Sequence, residues 1–490
     1  MNQEGNTGFY KKIRVSFLQI FSGETYNLIS GFISSYFYAL FLGPAVYGVW
    51  QTAKVFLNYS AIFEFSLPFV MRRDFVMLRG EGEYEKAERM SNLVLTYLTI
   101  VSLFATTITV FIALYFVKDL LFKYSLITVA LLFSITIISG YGNILTKGMN
   151  NYKLLTWSSI IMGTSALIAL PFVYYFGFYA LLIGLIVANI INAVFYFIKR
   201  PFHYKWYWNS KWLWSLIIIA FPLYLEQISK IIFSSIDRLL IASLLSFKDV
   251  GLYSLAAIVA TPVTLMVNSG SIVLFTHLNE RYGRSKEKEV ILKHVDIPQK
   301  IMTWIVPPVF AIGVILLPVL TKIFLPKYEL GIIAAQISVF GTFFYAIAGY
   351  SANALFVLNK QKSSATIFII SGVIKIAGSV IAIKMGYGIA GVAFSTVLAY
   401  FFYDNMMLWI IYRHLKMERK QYLKRVVDKL LPIFLITIFF IVDYNLHQDV
   451  SNVENIINSK FLISLGLLVL LILPIVYIGY LRIKPYLVKK

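Results

Sequence analysis

Four charged residues lie close together inside an apolar run: Glu226, Lys230, Asp237 and Arg238, in the stretch EQISKIIFSSIDR. The run extends from near Leu213 to near Leu245, long enough as a helix to cross a hydrocarbon layer of roughly 30 Å. At 100° per residue, Glu226, Lys230, Ser234 and Asp237 fall at about 0°, 40°, 80° and 20°. They form one narrow stripe, with Arg238 to one side. A charge at mid-membrane costs roughly 2.5–3.5 kcal/mol or more, so the stripe must face protein or water. Two kinds of chemistry fit. Glu226 and Lys230, four residues apart, can neutralise each other and Asp237 and Arg238 can pair with neighbours, all simply holding helices together. Alternatively the stripe lines an aqueous cavity and acts on what passes through it.

Other apolar runs carry comparable groups. Glu24 shares a helical face with Asn27 and Gly31, Lys54 lies with Asn58, and Glu64 follows further inward. Lys375 sits near the middle of its run between Gly372 and Gly378, and Asp404 lies toward one end, placed by the sequence at the interface. Lys230, Lys375, Arg238, Lys54, Glu226, Asp237, Glu24, Glu64 and Asn27 are therefore the candidate lining of a central cavity.

The elements that position these residues are membrane helices. The chain of 490 residues is 59% hydrophobic and 14% charged, more apolar surface than a soluble protein can bury. The pattern indicates an all-α polytopic membrane protein with about fourteen spans. They are read near 15–42, 46–71, 91–117, 126–146, 154–176, 178–198, 213–245, 251–276, 299–321, 329–358, 363–385, 387–412, 430–444 and 461–481. Pro68, Pro171, Pro222, Pro262 and Pro318 are expected to kink or end spans. With a cytoplasmic N-terminus, about 33 of the 44 basic residues fall inside and about 7 outside, a strong positive-inside bias. The net charge of +21 is thus chiefly a topology signal, and both termini are expected in the cytoplasm of a cell-membrane protein.

The chain also resembles itself. Gly140, Tyr141, Asn150, Lys153, Gly163 and Gly177 recur as Gly349, Tyr350, Asn359, Lys362, Gly372 and Gly386 at one constant offset. Earlier in each half, Ala39, Leu42, Gly48, Ala53 and Gly80 recur as Ala242, Leu245, Gly251, Ala256 and Gly283. The same alignment sets Glu24 opposite Gln227. A six-span unit is thereby repeated in parallel, giving lobes 1–205 and 206–412, with 413–490 holding a basic loop and two appended helices.

Several function classes are absent. There is no cysteine, hence no thiol catalysis or thiolate metal site. There is no GxxxxGK[ST] phosphate loop, nucleophile elbow or HExxH helix. The five histidines fall in loops, so any proton coupling would rest on carboxylates. External loops are too short for a typical membrane glycosyltransferase, which favours a secondary transporter over an enzyme. The aromatic and basic stretch RPFHYKWYWNSKWLW is read as an interfacial belt rather than a nucleic-acid surface.

LGPAVYGVWQ (42–51), SIDRLLIASLLSFKDVGLYSLA (235–256), ILLPVLTKIFLPKYELG (315–331) and GYGIAGVAFSTVLAYFF (386–402) together resemble polysaccharide flippases. These belong to the multidrug/oligosaccharidyl-lipid/polysaccharide exporter (MOP) superfamily, and the likeness covers roughly 15–410. The resemblance implies two MATE-like six-helix lobes plus two C-terminal helices. It implies flipping of a polyprenyl-pyrophosphate-linked oligosaccharide from the inner to the outer leaflet by alternating access. Its partners would be that substrate, membrane lipids and the polysaccharide polymerase machinery, with no nucleic acid. Lys230 and Lys375, with Arg238 or Lys54, would meet the pyrophosphate. Glu24, Glu64, Glu226 and Asp237 would bind sugar hydroxyls or couple to H+ or Na+, with no other cofactor. A cation-coupled drug exporter and a lipid II flippase are the alternatives.

Overall fold

The computed structural model describes residues 3–149, 151–200, 204–257, 278, 287–447, 466, 473–474 and 476–481. Among them every regular element is helical: α1 (Gln3–Asn58), α2 (Ala61–Glu64), α3 (Leu67–Gly80), α4 (Tyr84–Phe116), α5 (Leu120–Gly148), α6 (Tyr152–Ile198), α7 (Ser210–Leu244) and α8 (Phe247–Tyr253) come first. After them come α9 (Lys288–Phe324), a 3-10 turn (Pro326–Gly331), α10 (Ile332–Val357), α11 (Gln361–Lys384), α12 (Gly388–His414) and α13 (Arg419–His447). Nine helical stretches among the described residues are long and apolar enough to cross a membrane. In hydrocarbon the backbone must satisfy its own hydrogen bonds, and a helix does so within one segment.

Two of those stretches are folded pairs of spans. In α6, Gly177 leaves the helical region at φ 63°, ψ −139°. A Cβ placed on Gly184 would lie 3.1 Å from that of Ala169. In a straight helix these residues would be about 22 Å apart, so α6 is a hairpin that turns at Gly177. In α1, Gly43 breaks the helix at φ 72°, ψ 169°, with Pro44 directly after it. Proline is well placed there, because the first turn of a helix has no partner for its N–H. Counting both arms of each pair, twelve of the fourteen expected spans fall on helices. The expected spans 251–276 and 461–481 lie largely outside the described residues, as does Pro262.

The helix breaks coincide with the expected prolines only in part. α6, α7 and α9 carry Pro171, Pro222 and Pro318 within them, whereas the reversals in α1 and α6 occur at glycine. The expected span 46–71 is interrupted. Phe65 and Ser66 both adopt left-handed conformations, at φ 48° and 53°, and Pro68 then opens α3 within its first two positions.

The chain divides into two compact units, Met1–Ile231 and Ile232–Lys490, the division falling inside α7. In the first unit, Gly23 packs on Thr156 and Ser30 on Gly163, while Tyr38 donates to the Ala166 carbonyl. The first arm of α1 thus runs parallel to the first arm of α6. α4 is antiparallel to α5, with Ser91 against Tyr141 and Thr106 against Ala130. α5 is parallel to the second arm of α6, with Tyr124 against Tyr179 and Gly142 against Tyr196.

The second unit has the same neighbours in the same senses. α7 runs parallel to α11, with Phe233 against Phe368 and Asp237 against Lys375. α9 is antiparallel to α10, with Gln299 against Ser351 and Gln336 against Val314. α10 is parallel to α12, with Gly341 against Val397 and Tyr345 against Tyr403. Gly386, the repeat counterpart of Gly177, also has positive φ, at 85°. These senses are what strict alternation of direction along the chain requires.

At Gly177 no atom lies within 4 Å of an added Cβ, so only the backbone conformation selects glycine there. Gly177→Ala is expected to destabilise the purified protein by about 1–3 kcal/mol. Gly140→Ala, helical and equally open, should be neutral or stabilising by up to about 1 kcal/mol. Thermal unfolding in one detergent compares the two.

Candidate functional site

The polar stripe of α7 is shared between the two units. Glu226 and Lys230 lie in the first, half-buried and exposed respectively. Their neighbour Gln227 accepts a 2.6 Å hydrogen bond from the Ser66 hydroxyl, and Tyr224 stacks on Phe65 at 4.4 Å between ring centroids. The left-handed break at Phe65 and Ser66 is therefore the surface on which this half of α7 packs. Elsewhere in the first unit Glu24 and Lys54 are exposed, and Asn27 and Glu64 half-buried. Glu24 acts electrostatically on Lys147 at the end of α5, and Arg72 of α3 acts there as well. In the sequence Lys147 and Arg72 read as ordinary inner-side cations at span ends, and nothing local links them to Glu24.

In the second unit the structure brings Asp237 and Lys375 together. Lys375 is fully buried. Its Nζ lies 3.2 Å from Asp237 Oδ2 and donates at 2.9 Å to the Phe233 carbonyl, which has a second lone pair to offer. The ammonium also sits over the rings of Phe233 and Tyr400, 5.6 and 5.3 Å from their centroids. The Tyr253 hydroxyl donates to Asp237 Oδ2 at 3.0 Å, and the Arg238 backbone N–H to Asp237 Oδ1 at 3.0 Å. Arg238 itself is half-buried and close enough to act on the carboxylate. Tyr345, Phe368 and Tyr403 close around the Phe233 ring. The result is an internal cation with an oxygen, carbonyl and π coordination shell, tying α7 to α11 and α8.

A second buried network was not foreseen. Asp404 of α12, placed at the interface by its sequence position, is wholly buried and ion-paired with Lys429 of α13. Tyr412 donates to both carboxylate oxygens of Asp296, at 2.9 and 3.0 Å. Arg425 lies nearby and is 3% exposed. Burial pushes its guanidinium below the usual range, against the opposing pull of Asp296. Arg425 and Lys429 belong to the basic cluster that precedes the expected span 430–444, where the positive-inside pattern accounts for them as a topology signal. α13 is consequently tied to α9 and α12 rather than merely appended. Among the described residues no group of His, Asp or Glu suits a metal ion.

A family model described as "Polysaccharide biosynthesis protein" matches residues 37–333. The chain belongs to this family. No curated protein matches it. Among solved structures, "Lipid II flippase MurJ, inward closed conformation" is similar at TM-score 0.72 and 16% identity, covering 95% of this chain and 100% of that one. An inward-facing multidrug resistance MATE family transporter of the MOP superfamily is similar at TM-score 0.67 and 14% identity, covering 80% and 95%. A MOP superfamily transporter from Pyrococcus furiosus gives 0.54 and 14%, covering 83% and 96%. This family member thus has the MurJ and MATE fold, and it is a multi-pass membrane protein.

Removing Lys375 alone would strand Asp237 in the interior. Lys375→Ala is expected to destabilise by about 3–5 kcal/mol. The double variant Asp237→Asn, Lys375→Met removes both charges and should recover most of that loss. Unfolding midpoints of the three proteins in one detergent measure the difference.

Proposed function

We propose that this protein is a flippase for polyprenyl-pyrophosphate-linked oligosaccharides, moving the glycan headgroup between leaflets by alternating access. The observation that carries this reading is membership of a polysaccharide biosynthesis family in a chain whose membrane helices hold charges at Glu24, Lys54, Glu64, Glu226 and Lys230. Such a substrate needs cations for its pyrophosphate and hydrogen-bonding groups for its sugars. Lys230 and Lys54, both exposed, are the cations assigned to the headgroup, with Arg238 beside the stripe. Lys375 is held by Asp237, which suits it to bracing the lobe. Glu24, Glu64 and Glu226 are assigned to sugar hydroxyls or to coupling with H+ or Na+, and surface polysaccharide polymerisation is the process that would consume the product. The likeness to a lipid II flippase over 95% of the chain supports a second reading, the same reaction on a peptidoglycan precursor.

Depletion of the protein from its host is expected to accumulate a lipid-linked oligosaccharide and to deplete surface glycan in the same culture. The mass of the accumulated lipid identifies the substrate, and accumulated lipid II would select the second reading. Normal glycan with new sensitivity to cationic compounds would favour a drug exporter. Lys230→Ala, at unchanged protein level, should lower surface glycan about tenfold, the scale of one lost charge-assisted hydrogen bond. Full export by that variant excludes Lys230 from headgroup binding.

A further inference from the structure

A cleft of about 260 Å³ opens in the first unit among α4, α5 and α6, near the end of α6. Its walls are mainly apolar, with Leu95, Ile138, Leu145, Ala193 and Phe197, and Thr99, Thr146 and Tyr141 are interspersed among them. Two cations, Lys199 and Arg200, also line it. Arg200 lies over the Phe197 ring, 3.9 Å from its centroid, so a guanidinium and an exposed apolar ring share one rim. On one side Gly142 lets the Tyr196 ring lie flat against α5, since an added Cβ would come within 2.8 Å of that ring.

The segment after α6 braces the opposite rim. The Tyr204 hydroxyl is 3.0 Å from Thr96 Oγ1. The Lys205 backbone N–H donates to Asn92 Oδ1 at 3.4 Å, and that of Tyr207 to Thr96 Oγ1 at 3.3 Å. Asn92 and Thr96 are themselves 3% and 2% exposed. The strap is therefore anchored on interior side chains of α4, and the cleft beside it is a built feature.

We propose that this cleft binds one acyl chain of an anionic glycerophospholipid, with the phosphate held by Lys199 and Arg200. Three observations select this occupant. The mainly apolar walls suit a hydrocarbon chain. The charges at the rim are both positive. The rim lies beside Trp206 and Trp208, 66% and 51% exposed, the aromatic belt of a headgroup region. By the distribution of lysine and arginine this is the cytoplasmic side, where anionic lipids attract juxtamembrane cations. The lipid would act as a fixed filler that holds α4, α5 and α6 together, independent of the transported substrate.

The test uses purified full-length protein in detergent, titrated separately with phosphatidylglycerol and phosphatidylcholine. Thermal unfolding and native mass spectrometry report binding. Phosphatidylglycerol is expected to give a saturable rise in midpoint with one tightly retained lipid, and phosphatidylcholine a much smaller one. Each rim cation is worth roughly fivefold in affinity, so Lys199→Gln with Arg200→Gln should weaken phosphatidylglycerol binding about 25-fold. Ala193→Phe fills the cleft and should abolish the retained lipid. A photoactivatable phosphatidylglycerol should label peptides containing Ala193 or Phe197 in the unmodified protein, a result that does not depend on any variant folding. Equal responses to the two lipids, unchanged affinity in the double glutamine variant, or labelling confined to other helices would each overturn the proposal. So would displacement of the retained lipid by an equimolar polyprenyl phosphate, which would assign the cleft to the substrate tail.

Discussion

Hydrocarbon supplies neither hydrogen bonds nor counter-ions, and each polar group carried into it must bring its partner along. The backbone meets this demand by remaining helical and reversing where the constraint is least severe. Gly43 and Gly177 take positive φ, and each converts one long helical stretch into two arms. A side chain at such a position would add strain with no water nearby to offset a frayed helix end. Prolines inside α6, α7 and α9 are compatible with the same demand, because neighbouring helices and polar side chains can take up the freed carbonyls.

Side-chain charges obey the same rule with fewer ways of satisfying it. Lys375 with Asp237 and Lys429 with Asp404 are both removed from solvent. Pairs of this kind contribute little net stability over an apolar alternative but make any other register of the helices expensive. Each compact unit therefore has a polar element that fixes where a part of α7 sits: the Ser66–Gln227 hydrogen bond in the first, the Asp237–Lys375 pair in the second. Glu24, Lys54 and Lys230 are by contrast exposed.

How much of this was readable without coordinates depends on range. Spans, their alternating direction and the stripe on α7 follow from local periodicity, and the glycine repeat pointed to equivalent turns at Gly177 and Gly386. Lys375 and Asp237 were each recognised as membrane charges, but their pairing joins distant segments that no periodicity links. Arg425 and Lys429 were visible only as members of a basic cluster, a pattern that reports which side of the membrane a loop occupies and not what its lysines touch. The break at Phe65 and Ser66 was hidden because neither residue is a usual choice for left-handed backbone. Its packing against Tyr224 and Gln227 is a tertiary effect.

The tie between α12 and α13 also sets an order of events during synthesis. Asp404 leaves the ribosome before Lys429, and Asp296 before Arg425. For that interval the Asp404 carboxylate of α12 stands at or in the bilayer without the lysine that will pair with it. The second unit can reach its final packing only after α13 has been made and docked. Completion of this half of the molecule is thus timed by a segment beyond its six-helix repeat, and a nascent chain stopped before residue 425 would leave Asp404 without its ion-pair partner.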